Sequence, residues 1–258
     1  MSLPVSSPAA ATSTDPWIEL RRFTAARIAL GRSGASLPTR EVLAFGLAHA
    51  QARDAVHAAL DIEALTTALG SAGKNALHVR SQAEDRAAYL SRPDWGRQLH
   101  PDSAALLAAK KTSPAADLVI VISDGLSAVA AQRHAAPLLA ALLMRLDGLR
   151  LAPLVIATQA RVALADEIGE LLGAVLAISL IGERPGLSSA DSLGAYLTFG
   201  PRTGRNDAER NCISNLRPDG LSLDEGAAQI TALVRAALAA GCSGIPLRFD
   251  PVAVLPQR

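Results

Sequence analysis

A chain of 258 residues suits one large domain or two small ones, and its 50% apolar content with a mean hydropathy of +0.24 supports a real core and excludes disorder. Alanine supplies 52 residues and the aromatics only 8, so the core must be built from thin helices and aliphatic strands. The net charge of +1 gives no reason to expect a nucleic-acid partner or a membrane surface, and two cysteines 30 positions apart exclude a disulfide scaffold and favour a reducing cytoplasm.

Residues 1–14 read as a flexible tail with neither a basic segment nor an apolar one of signal-peptide type. Asp15-Pro16 pairs a capping residue with proline at the first helical position, which predicts a helix to Leu30, stopped by Gly31 and Gly34. Pro38 to Glu41 opens a longer helix with the stripe Val42, Phe45, Ala48, Ala52, Val56 and Leu60. Asp61–Leu69, Gln82–Leu90 and Ser103–Lys111 are further predicted helices, so residues 15–112 read as a helical region.

The pattern changes at Asp117-Leu-Val-Ile-Val-Ile122, an unbroken β-branched run of the kind found in strands buried on both faces. Ser123-Asp-Gly-Leu-Ser127 turns it into an Ala-rich helix predicted to reach Leu149. Pro153–Ala157 is a second buried strand, Arg161–Leu172 a helix, and Ala174–Ile181 a third strand. Alternating strands and helices of these lengths predict an α/β protein: a helical region, then a Rossmann-like parallel domain over residues 113–258. The stretch 182–223 shows only weak periodicity and reads as an ordered binding loop. Asp224–Ala240 is a helix closed by Gly241, and Ile245–Phe249 a last short strand.

In such a sheet, ligands sit beyond the carboxyl ends of the strands. The exits here are Ser123-Asp-Gly125, Thr158-Gln-Ala-Arg-Val162 and Gly182-Glu-Arg-Pro-Gly186. They offer carboxylate, amide, hydroxyl, Arg and backbone N–H groups: a hydrogen-bonding edge for a large polar ligand, with no obvious reactive centre. The dinucleotide fingerprint and the P-loop are both absent. His49 and His57 have no ligand partners at metal spacing and read as partly buried structural residues. Ser127 reads as a helix cap rather than a nucleophile, and Cys212 has no His near it in sequence to act as base. Asp166 and Glu170, four apart on a helix, read as a solvated face or dipole partners. Glu183 either pairs with Arg184 or recognises a ligand; both readings stand.

Several longer strings carry a family resemblance: Thr24-Ala-Ala-Arg-Ile-Ala-Leu-Gly-Arg32, Leu47-Ala-His-Ala-Gln-Ala-Arg-Asp-Ala-Val56, Ser123-Asp-Gly-Leu-Ser127, Gln159-Ala-Arg-Val162, Asp166-Glu-Ile-Gly-Glu170, Ile181-Gly-Glu-Arg-Pro-Gly-Leu-Ser-Ser189 and Asp207-Ala-Glu-Arg-Asn-Cys-Ile-Ser-Asn215. With them the chain, from Asp15 to about Leu247, resembles the small (light, β) subunit of ethanolamine ammonia-lyase. The resemblance implies an adenosylcobalamin-dependent enzyme that splits ethanolamine into acetaldehyde and ammonia through an adenosyl radical. It implies a TIM-barrel large subunit that holds the substrate, a hexamer of large–small heterodimers, and a small subunit that covers the cobalamin with its Rossmann-like domain. By motif, the cofactor contacts fall on Val162, Glu183 and Cys212, with no catalytic residue and no metal ligand on this chain. The location implied is cytoplasmic. Family members housed in bacterial microcompartments tend to carry a longer N-terminal extension, so encapsulated and free forms both stay open.

Overall fold

The computed structural model describes residues 15–71, 76–111 and 113–249; the predicted tail lies outside them. The chain divides into two compact units, one made of residues 15–54 with Gly186–Ser189, the other of residues 55–185 and 190–249 among those described.

In the first unit the helix predicted from Asp15 to Leu30 shrinks to a 3-10 segment, Ile18–Phe23. Ala29 takes a left-handed φ of 51° and Gly31 one of 74°, conformations that no helix contains. Trp17, Ile18, Leu20 and Phe23 stay exposed, so no buried apolar face sustains a longer helix. Helix α1, Thr39–His57, forms as expected. Its predicted stripe is only partly buried: Ala48 is inside, whereas Val42 and Phe45 are exposed, as are His49 and His57, which were expected to be partly buried.

The second unit is an α/β sandwich around a six-stranded sheet. Its elements are α2 (Ile62–Ser71), β1 (Ala76–Arg80), α3 (Arg86–Ser91), α4 (Pro101–Ala108), β2 (Ala116–Ser123), α5 (Ala128–Leu143), β3 (Leu154–Thr158), α6 (Leu164–Leu172), β4 (Ala174–Gly182), β5 (Leu193–Phe199), β6 (Arg210–Leu216) and α7 (Leu223–Ala240). The strand order is β1-β3-β2-β4-β5-β6, with β1 to β4 parallel and β5 and β6 antiparallel. Strand β1 falls where only helices were expected. Its Ala-Leu-His-Val-Arg sequence is too short and too mixed to announce itself, and its place at the sheet edge explains its half-polar composition.

The aliphatic runs divide between two cores by simple alternation. Leu118, Ile120 and Ile122 of β2, with Ile156 of β3 and Ile178 of β4, pack on one face with α2, α5 and α7. Val119, Val121, Val155 and Ala177 pack on the other with α4 and α6. From β2 the chain crosses to β3 on one side, then back over to β4 on the other. The crevice between β2 and β4 is therefore the topological switch point, where ligands of such sheets bind.

Further expectations are corrected. The 182–223 stretch is not one loop; it contains β5 and β6. Leu193, Ala195 and Leu197 of β5 face the core at period two, but on β6 the inward residues are Ile213 and Leu216, three apart. A bulge absorbs the extra residue: Ala195 pairs with Ile213, and Leu193 pairs with Leu216. Ile245–Phe249 forms no strand; Pro246 lacks the donor a ladder needs, and Leu247 N–H closes a turn onto Gly244 O at 3.1 Å. Helix α5 stops at Leu143 rather than Leu149, because Gly148 (φ 84°) turns the chain back to lie beside β2. Helices α3 and α6 are each shorter at the N-terminal end than predicted, and α4 begins and ends earlier than predicted. Among the described residues no helix is long and apolar enough to cross a membrane.

That return is fastened by one ion pair. Asp117 accepts from the Arg150 backbone N–H at 2.8 Å and from Arg150 Nη2 at 2.8 Å. The Arg150 side chain and backbone hold the Asp117 carboxyl below the ordinary carboxylate range. A depressed carboxylate stabilises the fold above its unfolded pKa and loses that contribution as pH falls through the folded one. Asp117→Asn is expected to cost no more than about 1 kcal/mol at neutral pH, as for a part-exposed pair. In urea titrations the gap from wild type should close as pH falls below about 4; a gap that stays constant into acid would refute this role.

Candidate functional site

At the switch point the chain makes a tight knot around one carboxylate. Asp124, 4% exposed, follows the last residue of β2. Its Oδ1 accepts from the N–H of Gly125 at 2.9 Å and of Ala160 at 3.1 Å, and its Oδ2 from the N–H of Gln159 at 2.8 Å. Arg86 Nη1 lies 4.0 Å from Oδ2. Burial pushes the carboxyl above the ordinary range, and the three N–H groups and Arg86 work against it. To offer its N–H, Gln159 adopts a left-handed φ of 52°, a strained state at the exit of β3.

The exits of β2 and β4 touch through two glycines. Gly125 has φ +54°, and a Cβ there would lie 2.2 Å from Gly182 O. A Cβ on Gly182 would lie 2.0 Å from Ser127 O. This contact lets Leu126 N–H donate to Gly182 O at 2.9 Å. Ser127 then caps α5, accepting from Ala130 N–H at 3.3 Å while its hydroxyl donates to Ala190 O at 2.8 Å. Fully buried and spent on these bonds, it is no nucleophile.

Above this floor opens a cleft of about 460 Å³, lined among others by Leu126, Arg161, Val162, Ile181, Glu183 and Tyr196. Tyr89, buried and with two guanidinium groups against its ring, lines the same cleft. Arg161 lies 4.1 Å and Arg86 4.7 Å from its ring centre. Its hydroxyl donates to Ala160 O at 3.2 Å, and burial pushes its pKa up to about 12. Arg86 donates to Val56 O at 2.5 Å and Gly125 O at 2.7 Å, and Arg161 Nη2 donates to Tyr89 O at 3.1 Å.

Glu183 also lines the cleft, and it is not paired with Arg184. Ser192 Oγ donates to its Oε2 and Ser214 Oγ to its Oε1, each at 2.5 Å, and Asn215 N–H donates to Oε2 at 3.2 Å. The β6 bulge aims Ser214 and Asn215 at it, with Asn215 at φ 60°. A carboxylate has about four lone-pair positions, so one remains for a ligand donor.

Of the three residues singled out by motif, the structure brings Val162 and Glu183 into this cleft. Cys212 lies beside it, paired across the ladder with Tyr196, on a second hollow of about 310 Å³ that shares Ser214. The Cys212 thiol is pushed up, chiefly because neighbouring groups shield it from water although the residue has an exposed edge; the Tyr196 contact opposes this and the Glu183 charge adds to it. Tyr196 is pushed up in turn, first by burial and then by Cys212 and Glu183. A thiol held protonated, with no histidine bonded to it among the described residues, is a poor nucleophile. The cleft is equipped to grip a polar ligand and to shield it, with no base–nucleophile pair of its own.

Asp166 also departs from expectation. It is 2% exposed and bonds Arg210 Nη1 at 2.5 Å, with Arg210 also donating to Thr198 Oγ1 at 3.3 Å. Burial drives its carboxyl up, with Arg210 pulling the other way. Sequence reasoning placed Arg161 on the ligand edge but missed Tyr89 and Arg86. The one available signal was the rarity of tyrosine in this chain, which makes each of the two worth locating.

The knot at Asp124 is testable. Asp124→Asn presents an amide N–H₂ to N–H donors, and is expected to cost about 1.5–3 kcal/mol in urea unfolding, as for a lost charge-assisted bond. An unchanged midpoint would show that the three N–H groups do not depend on the carboxylate.

The family model for the ethanolamine ammonia-lyase light chain (EutC) matches residues 14–248. The ethanolamine ammonia-lyase small subunit of Azotobacter vinelandii is 55% identical over 240 residues, 92% of this chain and 89% of the relative. That of Bradyrhizobium diazoefficiens is 52% identical over 246 residues, 94% of each chain. That of Rhodopseudomonas palustris is 55% identical over 234 residues, 90% of this chain and 89% of the relative. A match at this identity along nearly the whole length, over a sheet whose switch-point cleft is built from the same strings, places the chain in the ethanolamine ammonia-lyase light-chain family, as the small subunit of a lyase complex.

Proposed function

We propose that this chain binds adenosylcobalamin jointly with a TIM-barrel large subunit that holds ethanolamine, in a hexamer of large–small heterodimers that releases acetaldehyde and ammonia. The observation that carries the reading is the cleft at the exits of β2 and β4, lined by both Val162 and Glu183. At about 460 Å³ it is at the small end of ligand sites and takes only part of a corrinoid, which leaves the rest to a second chain. The residues suit such a ligand: an apolar wall, a carboxylate with one acceptor position left, and guanidinium groups with unspent donors.

When bound, adenosylcobalamin supplies the radical chemistry. Val162 packs against an apolar face of the cofactor. Glu183 accepts an amide N–H from its rim and, through Ser192 and Ser214, holds β5 and β6 in place around it. Cys212, paired with Tyr196, extends the contact onto the outer face of β6. In this reading residues 113–258 are the cobalamin-binding domain, and the enzyme is cytoplasmic, with a bacterial microcompartment as the alternative.

Co-expression with the large subunit tests this directly. The purified complex should retain a cobalamin spectrum, and the small subunit alone should show no turnover with cobalamin and ethanolamine. Glu183→Ala in the complex should weaken cobalamin binding by about 1.5–3 kcal/mol. An unchanged Kd removes Glu183 from the site, and a complex with no affinity for cobalamin overturns the reading.

A further inference from the structure

The cleft carries more positive charge than its own carboxylates answer. Arg161 and Arg184 both line it, and among the described residues neither has a carboxylate within 4.0 Å. The acidic groups that stand nearby are already engaged. Asp124 accepts three backbone N–H groups, and Glu183 accepts two hydroxyls and one N–H.

Arg161 is also left with unmet donors. Its Nη2 bonds Tyr89 O, but its Nε is buried with no acceptor, and no acceptor meets its Nη1 among the described residues. Arg86, also against the Tyr89 ring, likewise buries an Nη2 without a partner. A buried N–H without an acceptor is costly, and a guanidinium held flat against an aromatic ring keeps its fork in a fixed orientation. The Tyr89 ring, 4.1 Å from the Arg161 guanidinium carbon, and the bond to Tyr89 O thus hold Arg161 in place before any ligand arrives. Arg184, exposed at the exit of β4, adds a second cation from the opposite strand.

We infer that Arg161 and Arg184 form the anion-recognising end of this cleft and take the phosphodiester in the nucleotide loop of the corrinoid. The inference rests on the cobalamin reading above. Its chemistry is specific: that phosphodiester is the one anionic group of cobalamin outside the metal-bearing ring, and two arginines from the exits of β3 and β4, the strands on either side of β2, match its oxygens by charge-assisted hydrogen bonds. A corrinoid without a nucleotide loop gains nothing from them.

The test compares two corrinoids on the complete large–small complex. Cyanocobalamin carries the phosphodiester; dicyanocobinamide has the same ring and lacks it. Kd is read from the absorbance change on binding. Arg184→Gln alters an exposed residue with no bonded partner among the described ones, and Arg161→Lys keeps the charge but loses the planar fork. Each variant should weaken cyanocobalamin by about tenfold or more, the equivalent of one charge-assisted bond, and leave dicyanocobinamide unchanged. Inorganic phosphate should compete with cyanocobalamin and not with dicyanocobinamide.

Equal losses for both corrinoids, or none for either, would overturn the inference while leaving cofactor binding intact. Phosphate that binds through these arginines without displacing cyanocobalamin would assign them to a free anion and overturn it too. A wild-type complex that binds neither corrinoid would overturn the cobalamin reading itself, and the inference with it.

Discussion

The Asp124 carboxylate is the constraint on which the binding edge depends. It gathers the N–H groups of its own turn and of the β3 exit on one side chain, and Arg86 brings α3 to the same point. Loops at strand exits are otherwise free to wander, because their N–H and C=O groups are equally content with water. Here burial removes that alternative. The carboxylate stays in a dry site only because donors surround it, and those donors keep their positions only because it is there. The cost is visible at Gln159, which is held in a conformation that few non-glycine residues adopt.

Much of the sheet was legible from residues alone. The runs at β2, β3 and β4 are mostly aliphatic because both faces are covered, which is how a central parallel strand reads. Helix α7 was expected from Asp224 to Ala240; it starts one residue earlier, at Leu223 behind the Ser222 cap, and closes as expected at Gly241, with φ 66°. What escaped was every strand that is not central. β1 is an edge, and β5 breaks its aliphatic run with Gly194, Tyr196 and Thr198, which alternate with the core-facing Leu193, Ala195 and Leu197. β6 hides behind its bulge: Ile213 and Leu216 are spaced like residues of a helix, and only the extra residue turns both inward.

The site shows the same division. Glu183 and Val162 could be found because they follow strands that could be found. Tyr89 and Arg86 could not, because they come from α3, far earlier in the chain, and meet the cleft only in three dimensions. Asp166 misled for a related reason. Its partner Arg210 is 44 residues away on β6, so the helix pattern alone made it look solvated. The scarcity of histidine, lysine and aromatic groups takes on meaning in this light. An aliphatic sheet with a polar rim can hold a large ligand well while contributing no reactive group to it, which is the division of labour expected of one subunit in a two-subunit lyase.

The bulge in β6 makes residue count, more than residue identity, the quantity that this segment must preserve. Between Ile213 and Leu216 lie two positions, and the bulge they form lets both flanking side chains face the core. Removing one would place the flanking residues at ordinary strand spacing. Ile213 and Leu216 would still face inward, yet the strand would straighten and carry Ser214 and the Asn215 N–H away from Glu183. The fold would survive such a deletion with its hydrophobic order intact, and the rim would lose its grip on the carboxylate. Length variation in this four-residue span therefore separates chains that keep the architecture from chains that keep the site.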